Sequence, residues 1–125
     1  MAWELLPDRP FYTQLLEHLQ VRIMTGVYAA GQRLPSVRDL AEEASVNVNT
    51  MQRALTELEQ AGLVNTQRTA GRFITGDQGR IDALRTDLAA LQARGYLQGM
   101  ARLGFAPQEA LAFLARQAHQ NEGAK

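Results

Sequence analysis

Two short helical patterns separated by only a few residues constrain this chain more than any other feature of its sequence. Ser36 can cap the first pattern, and Asn47 can cap the second, which ends at Gly62. Apolar residues repeat at helical spacing in both patterns. They are Val37, Leu40, Ala41 and Ala44 in the first and Met51, Ala54, Leu55 and Leu58 in the second. Because Ser45 and Val46 leave no room for a long connection, the sequence predicts two helices joined by a tight turn.

The flanking segments extend this pair into a longer order of elements. A helical pattern from Phe11 to Thr25 precedes it, and Arg33 and Leu34 are predicted as a short strand in the connector. After Gly62 the apolar spacing changes, and residues 63–67 and 72–75 are predicted as the strands of a hairpin. This order is that of a winged helix-turn-helix, whose second paired helix lies in the DNA major groove while the hairpin contacts the backbone or minor groove.

The last third of the chain is predicted to be helical. Gly76 to Gly79 is typical of a linker, so we predict a DNA-binding domain over residues 1–76 and a helical segment over residues 80–125. Apolar residues in this segment alternate spacings of three and four, as in a helix that packs on another helix. Such a pattern usually indicates a core or subunit contact, with a pocket lining as the less common alternative. The predicted fold class is mainly α with a small β-hairpin.

The charge balance argues against binding DNA through bulk positive charge. Thirteen Lys and Arg residues face thirteen Asp and Glu residues, a formal net charge of zero, and the part before residue 80 has seven arginines against nine acids. Placement matters more, since Arg53 is the only charge in residues 44–56 and Arg68 and Arg72 are the only charges in residues 60–76. We therefore expect weak nonspecific binding and dependence on a few arginines and on dimerisation.

Several other classes of protein are disfavoured. The chain has no cysteine, which excludes disulfides and thiolate chemistry, and two histidines, His18 and His119, cannot alone furnish a usual zinc site. No catalytic triad spacing, phosphate-binding glycine loop or HExxH pair is present, so we expect neither an enzyme nor a cofactor. No membrane-spanning run or signal peptide is visible, and we expect a cytoplasmic protein.

Several motifs carry a resemblance to a known family. These are Pro10 to Tyr12, Gly31 to Ala41, Val46 to Thr50, Arg53 to Leu55, Leu58 and Glu59, Gly62 to Val64, and Arg68 to Ile74. Over residues 10–75 the chain resembles the DNA-binding domain of GntR-family transcriptional regulators. Its tail, with Tyr96 to Phe105 followed by Glu109 and Ala110, resembles the YtrA-type subgroup, in which a short helical segment replaces a large effector domain.

The resemblance and the chemistry together select candidate DNA contacts on the two paired helices. Ser36 can present its hydroxyl and helix N–H groups to a phosphate or serve only as a cap. Arg38 matches a family arginine that contacts DNA, the alternative being an ion pair with Glu42. The start of the second helix supplies four more candidates, which are Asn47, Asn49, Thr50 and Arg53. Of these, Asn47 is more readily a helix cap than a residue that contacts a base.

The predicted wing contacts are Arg68, Gly71 and Arg72. Thr69 stands where the family often has a glycine, so we expect the wing backbone to approach the minor groove less closely than in such relatives. Similarly, Ser45 stands where glycine is common and Val48 where many relatives have proline.

The resemblance also favours a homodimer formed by the C-terminal helices, and two-fold symmetry would extend the DNA site. The predicted dimer contacts are Ile81, Leu84, Leu88, Leu91, Leu97 and Met100. We thus predict a sequence-specific regulator, a repressor on a palindromic operator, with an unknown small-molecule effector possible between the tail helices or at the dimer interface. The alternatives are a nonspecific architectural DNA binder and a small helical protein-interaction module.

Overall fold

The computed structural model describes residues 3–123, which form five helices and one antiparallel hairpin. The elements in chain order are α1 (Phe11–Met24), α2 (Val37–Ala44), α3 (Val48–Gln60), β1 (Val64–Gln67), β2 (Gly71–Ile74), α4 (Gln78–Arg102) and α5 (Pro107–Gly123). This is the predicted mainly helical winged helix-turn-helix with a helical C-terminal segment.

Local capping produces the tight turn between α2 and α3. The hydroxyl of Ser36 accepts a hydrogen bond from the backbone N–H of Asp39 at 3.1 Å, which begins α2. Ser45 ends that helix in the left-handed region, with φ 58° and ψ 46°. The side chain of Asn47 then accepts from the backbone N–H of Asn49 at 2.7 Å and begins α3. The two caps and the left-handed residue therefore fix both helix ends within a few residues.

The left-handed conformation of Ser45 predicts that glycine at this position stabilises the fold. Ser45→Gly is expected to raise the free energy of unfolding by about 0.5–1 kcal/mol, because glycine removes the Cβ clash of this conformation at some cost in unfolded-chain entropy. Ala61→Gly is the matched control, since Ala61 ends α3 at φ −78° and gains nothing from glycine. Urea unfolding of both variants checks the prediction, which a loss of stability in Ser45→Gly would contradict.

The core of the winged helix lies where α1 packs against α3. The side chains of Leu15, Leu19, Met51, Leu55 and Leu58 are fully buried there. These are the apolar positions at helical spacing, so the core is the one that the sequence pattern predicts. It holds the start of α3 against the start of α1, which positions the site described below.

The hairpin is a wing joined to the connector before α2. Its strands pair in the register Val64 with Ile74 to Gln67 with Gly71. Arg33 forms an isolated antiparallel bridge with Phe73, as the predicted short strand required. Gly71 has φ +100°, whereas Ser45 is the only non-glycine residue with positive φ among residues 3–123. Thr69 therefore keeps an ordinary backbone conformation, and the turn does not need a glycine at that position.

A segment before α1 is fastened by one buried amide. The side-chain oxygen of Gln14 accepts from the backbone N–H of Leu6 at 2.7 Å, and its nitrogen donates to the carbonyls of Leu6 and Arg9 at 2.7 and 2.9 Å. Gln14 is 3% exposed. The three bonds satisfy this buried amide and fix the chain that enters α1.

The predicted linker and domain boundary are displaced in the structure. The sequence predicts a linker over residues 76–79, but α4 already begins at Gln78 and is continuous to Arg102. The chain divides into two compact units after Arg85, within α4. Ile81 is 2% exposed in the core of the first unit, and Leu84 packs against that core. The first turns of α4 therefore belong to the winged-helix unit.

The second unit consists of the remainder of α4 and α5. The hydroxyl of Tyr96 donates to the carbonyl of Ala110 at 2.6 Å, and Phe105 and Phe113 contact each other with ring centroids 5.8 Å apart. Met100 and Ala110 are buried, while five leucines of this unit remain exposed. They are Leu91, Leu97, Leu103, Leu111 and Leu114.

Candidate nucleic-acid interface

The start of α3 presents a cluster of polar side chains. Asn49, Thr50 and Arg53 line one shallow pocket together with Phe11 and Tyr12 from the start of α1. Residues three and four apart share a face of a helix, so these three α3 side chains project on the same side. The structure therefore brings together three of the four residues predicted at this helix start.

Asn47, the fourth, is occupied by capping. Its side-chain oxygen accepts from the backbone N–H of Asn49, and that bond leaves the Asn49 side chain itself free of hydrogen bonds within residues 3–123. Of the two interpretations open for Asn47, the structure supplies direct support for the cap. Asn49 can then meet a base edge without the loss of a helix-capping bond.

Arg53 lies on an aromatic ring that the sequence patterns did not assign to the site. The centre of its guanidinium is 3.6 Å from the centroid of the Tyr12 ring. Its neighbour Phe11 is 45% exposed beside it. The signal was present in the sequence as an aromatic pair at the first turn of α1, but its proximity to Arg53 depends on the packing of α1 on α3.

The start of α2 carries the two other helical candidates. Ser36 is exposed and its hydroxyl is the N-cap acceptor, so its oxygen lies at the helix N-terminus where phosphates bind. Arg38 is exposed on the first turn, and it forms no ion pair with Glu42. Its guanidinium is therefore available to an anion.

The wing separates its predicted residues. Arg68 is exposed at the turn. Gly71 serves the wing through its backbone, and the absence of its side chain makes room for Arg33, whose Nε lies 3.2 Å from the position that a Cβ at residue 71 would take. Arg33 is exposed and was not among the predicted contacts. Two exposed arginines are thus present at the wing, Arg68 in its turn and Arg33 in the connector that pairs with it.

Arg72 is paired with an acidic residue of α3. Its Nε donates to a carboxylate oxygen of Glu59 at 2.8 Å, and the two side chains are only 19% and 31% exposed. Partial burial raises the pKa of Glu59, but hydrogen bonds from Arg72 and Thr66 outweigh it and leave this pKa below the usual value. Because alternate strand residues share a face, Arg72 lies on the side of the buried Ile74, toward α3. The alternation of residues along β2 was the sequence signal that Arg72 faces inward with Ile74.

The predicted dimer residues also separate into groups. Ile81 is buried in the core of the first unit, and Leu84 is half-buried against the same core. Met100 is 9% exposed within the second unit. Leu91 and Leu97 are 56% and 41% exposed, and Leu88 is half-buried. The exposed leucines, rather than the whole seam, are thus available to a second copy.

Two other kinds of site are missing from the described part of the chain. Residues 3–123 contain no group of three or more histidine, cysteine or acidic side chains placed to hold a metal ion. No helix in the same range has the length and apolar character needed to cross a membrane.

The fold and the exposed polar start of α3 define a winged helix-turn-helix DNA-binding regulator. The chain belongs to the GntR family, since the model of "Bacterial regulatory proteins, gntR family" matches residues 11–74. It is 34% identical over 104 residues to the HTH-type transcriptional regulator YhcF of Bacillus subtilis (strain 168), covering 83% of this chain and 86% of that protein.

Two further relatives support the subgroup and the fold. The HTH-type transcriptional repressor YtrA of Bacillus subtilis (strain 168) is 36% identical over 66 residues, covering 53% of this chain and 51% of that protein. A GntR family transcriptional regulator from Listeria monocytogenes has a TM-score of 0.86 at 34% identity, covering 90% of this chain and 98% of that chain. The latter match extends over both units.

Proposed function

We propose that this regulator is a cytoplasmic repressor that binds a palindromic operator as a homodimer. The observation that carries the proposal is the cluster of Asn49, Thr50 and Arg53, three side chains with hydrogen-bonding groups on the same exposed helix start. Asparagine pairs with adenine, threonine contacts thymine methyl groups, and arginine binds guanine or phosphate. Ser36, Arg38 and Arg68 would add phosphate contacts that fix the register of the helix in the groove.

The second unit supports dimerisation through its exposed leucines. Its two helices leave Leu91, Leu97, Leu103, Leu111 and Leu114 between 41% and 73% exposed. Five large apolar side chains exposed on one small helical unit support a subunit interface there. A two-fold dimer would place two copies of α3 on successive half-sites, as the symmetry of a palindrome requires. A small-molecule effector bound between the tail helices or at the dimer interface would alter the geometry of the dimer.

Two other functions remain as outcomes of a test. A nonspecific architectural DNA binder would need more positive charge than a chain with zero net charge supplies. A protein-interaction module would use the wing or the leucines without DNA. We further propose that the chain has no enzymatic activity, which is in keeping with its family of transcriptional regulators.

Fluorescence anisotropy with labelled duplexes tests the proposal. One duplex carries an inverted repeat from upstream of the gene, and the other has the same composition in scrambled order. A specific regulator is expected to bind the first at least about 10³-fold more tightly at the same salt concentration. Equal affinity would indicate the architectural binder, and binding to neither duplex would favour the interaction module.

Arg38→Ala extends the same titration to a single contact. Arg38 is exposed and unpaired with Glu42, so its loss is expected to weaken both duplexes alike and to lower the slope of log affinity against log salt by about one. Glu42→Ala is the matched control on the same helix, and it should not lower the slope. An unchanged slope in Arg38→Ala would show that Arg38 contacts no phosphate.

A further inference from the structure

We propose that Tyr12 is a positioning residue for DNA recognition, whose ring holds the Arg53 guanidinium in the orientation that meets DNA. The inference rests on the proposed function, because it assigns a role to a residue that supports α3 from another helix. The guanidinium lies 3.6 Å from the ring centroid. Both residues line the pocket that Asn49 and Thr50 also line.

Arg53 has two potential partners, the ring of Tyr12 and the carboxylate of Glu57. Glu57 lies one helical turn further along α3, the spacing at which arginine and glutamate can pair. No ion pair between Arg53 and Glu57 is formed, and the guanidinium lies on Tyr12 instead. The side chain is therefore directed toward the start of α3, which is the end that meets base edges in helix-turn-helix proteins.

A stacked guanidinium keeps its hydrogen-bonding capacity. The ring contacts the face of the cation, whereas the five N–H groups of arginine lie in its plane and point outward. The edge of Arg53 thus stays free for a bidentate contact with guanine or with a phosphate. An ion pair with Glu57 would instead use that edge and cancel the charge.

The charge pattern makes this orientation consequential. Arg53 is the only charged residue from 44 to 56, so the start of α3 has one cation with which to bind DNA. A side chain already held in place loses less conformational entropy on binding. Tyr12 is held in turn by α1, whose entry is fixed by the hydrogen bonds of Gln14.

A double-mutant cycle on the full-length protein tests the role. Tyr12→Leu removes the ring but keeps an apolar side chain, and it is expected to weaken binding to the inverted-repeat duplex by about three- to ten-fold. Tyr12→Phe keeps the ring and should stay within about two-fold. In an Arg53→Ala background Tyr12→Leu should have almost no further effect, since the cation that the ring positions is absent.

Phe11→Leu is the matched control for this cycle. Phe11 is an aromatic neighbour in the same pocket, but it is not the ring under the guanidinium. Whatever its own effect on affinity, that effect should be the same in the wild-type background and in the Arg53→Ala background. Additive effects of Tyr12→Leu and Arg53→Ala, or equal losses in Tyr12→Leu and Tyr12→Phe, would overturn the role of Tyr12.

Proton NMR of the free protein provides a measurement that does not depend on any destabilised variant. The δ protons of Arg53 are expected to show an upfield ring-current shift in the wild type and in Tyr12→Phe. Random-coil positions for these protons would overturn the inference. Failure of the proposed function is a different result, because the wild-type protein would then not distinguish the inverted-repeat duplex from its scrambled control.

Discussion

A chain that ends at Arg85 is expected to fold as a monomer and to bind a two-half-site operator about 10²–10⁴-fold more weakly than the full chain, the range that loss of linked binding produces. The first compact unit extends to Arg85, and it contains the buried Ile81 with Leu84 packed against the same core. The truncation thus keeps the DNA-binding unit complete and removes all five exposed leucines of the second unit.

The control is a chain that ends at Gly79, at the boundary that the sequence predicted. It lacks Ile81, which is 2% exposed, and Arg80, whose guanidinium donates to the carbonyl of Ala61 at 3.3 Å. Loss of the isoleucine alone is expected to lower the free energy of unfolding by about 2–5 kcal/mol. Urea unfolding should therefore separate the two truncations, although they differ by only a few residues.

Sedimentation velocity and anisotropy complete the test of the truncation. The chain that ends at Arg85 should sediment as a monomer. Its affinity for a single half-site should equal that of one DNA-binding unit of the full chain. A dimer after truncation would place the subunit contact in the first unit. Undiminished affinity for the whole operator would show that dimerisation does not contribute to binding.

Asn49→Ala is expected to lose about 1–3 kcal/mol of discrimination at one base pair of the operator, up to roughly a hundred-fold in relative affinity. The Asn49 side chain carries no hydrogen bond within residues 3–123, while its backbone N–H is the group that Asn47 caps. Alanine leaves that backbone bond in place. The substitution therefore removes a base contact without removing the helix cap.

The measurement is a set of operators in which each base pair is replaced in turn. Replacing the base pair that Asn49 contacts should lower the affinity of the wild type but not that of Asn49→Ala. At every other position the two proteins should lose affinity equally. Gln52→Ala is the matched control, because Gln52 does not line the pocket of Asn49, Thr50 and Arg53 and its side chain donates to the hydroxyl of Thr56 at 3.4 Å. Uniform weakening by Asn49→Ala across all positions would contradict a base-reading role.

Much of the winged helix could be predicted from short stretches of sequence. Ser36 and Asn47 are the predicted caps of α2 and α3, and the bounds of α1 and of the hairpin agree with prediction to within one or two residues. Each of these features depends on neighbours within a few positions, where hydrogen bonds and backbone preferences act directly.

The roles of individual side chains could be predicted less completely. Arg72 has the charge expected of a wing contact, yet the strand register turns it toward Glu59. Ile81 continues a leucine seam, yet it is buried in the first unit. Conversely, the proximity of Arg53 to Tyr12 has no local signature. In each case the partner comes from a different element, and pattern within one element does not encode it.

The sequence by itself therefore determined the order of the elements, their caps and the core positions of the winged helix, because these follow from periodicity and local hydrogen bonding. Only the tertiary structure decided which arginines are held by other residues and where the first compact unit ends. Those outcomes depend on how α1, α3, the wing and the first turns of α4 pack together. Packing brings together residues that are far apart in the chain, so their partners cannot be predicted from charge and spacing alone.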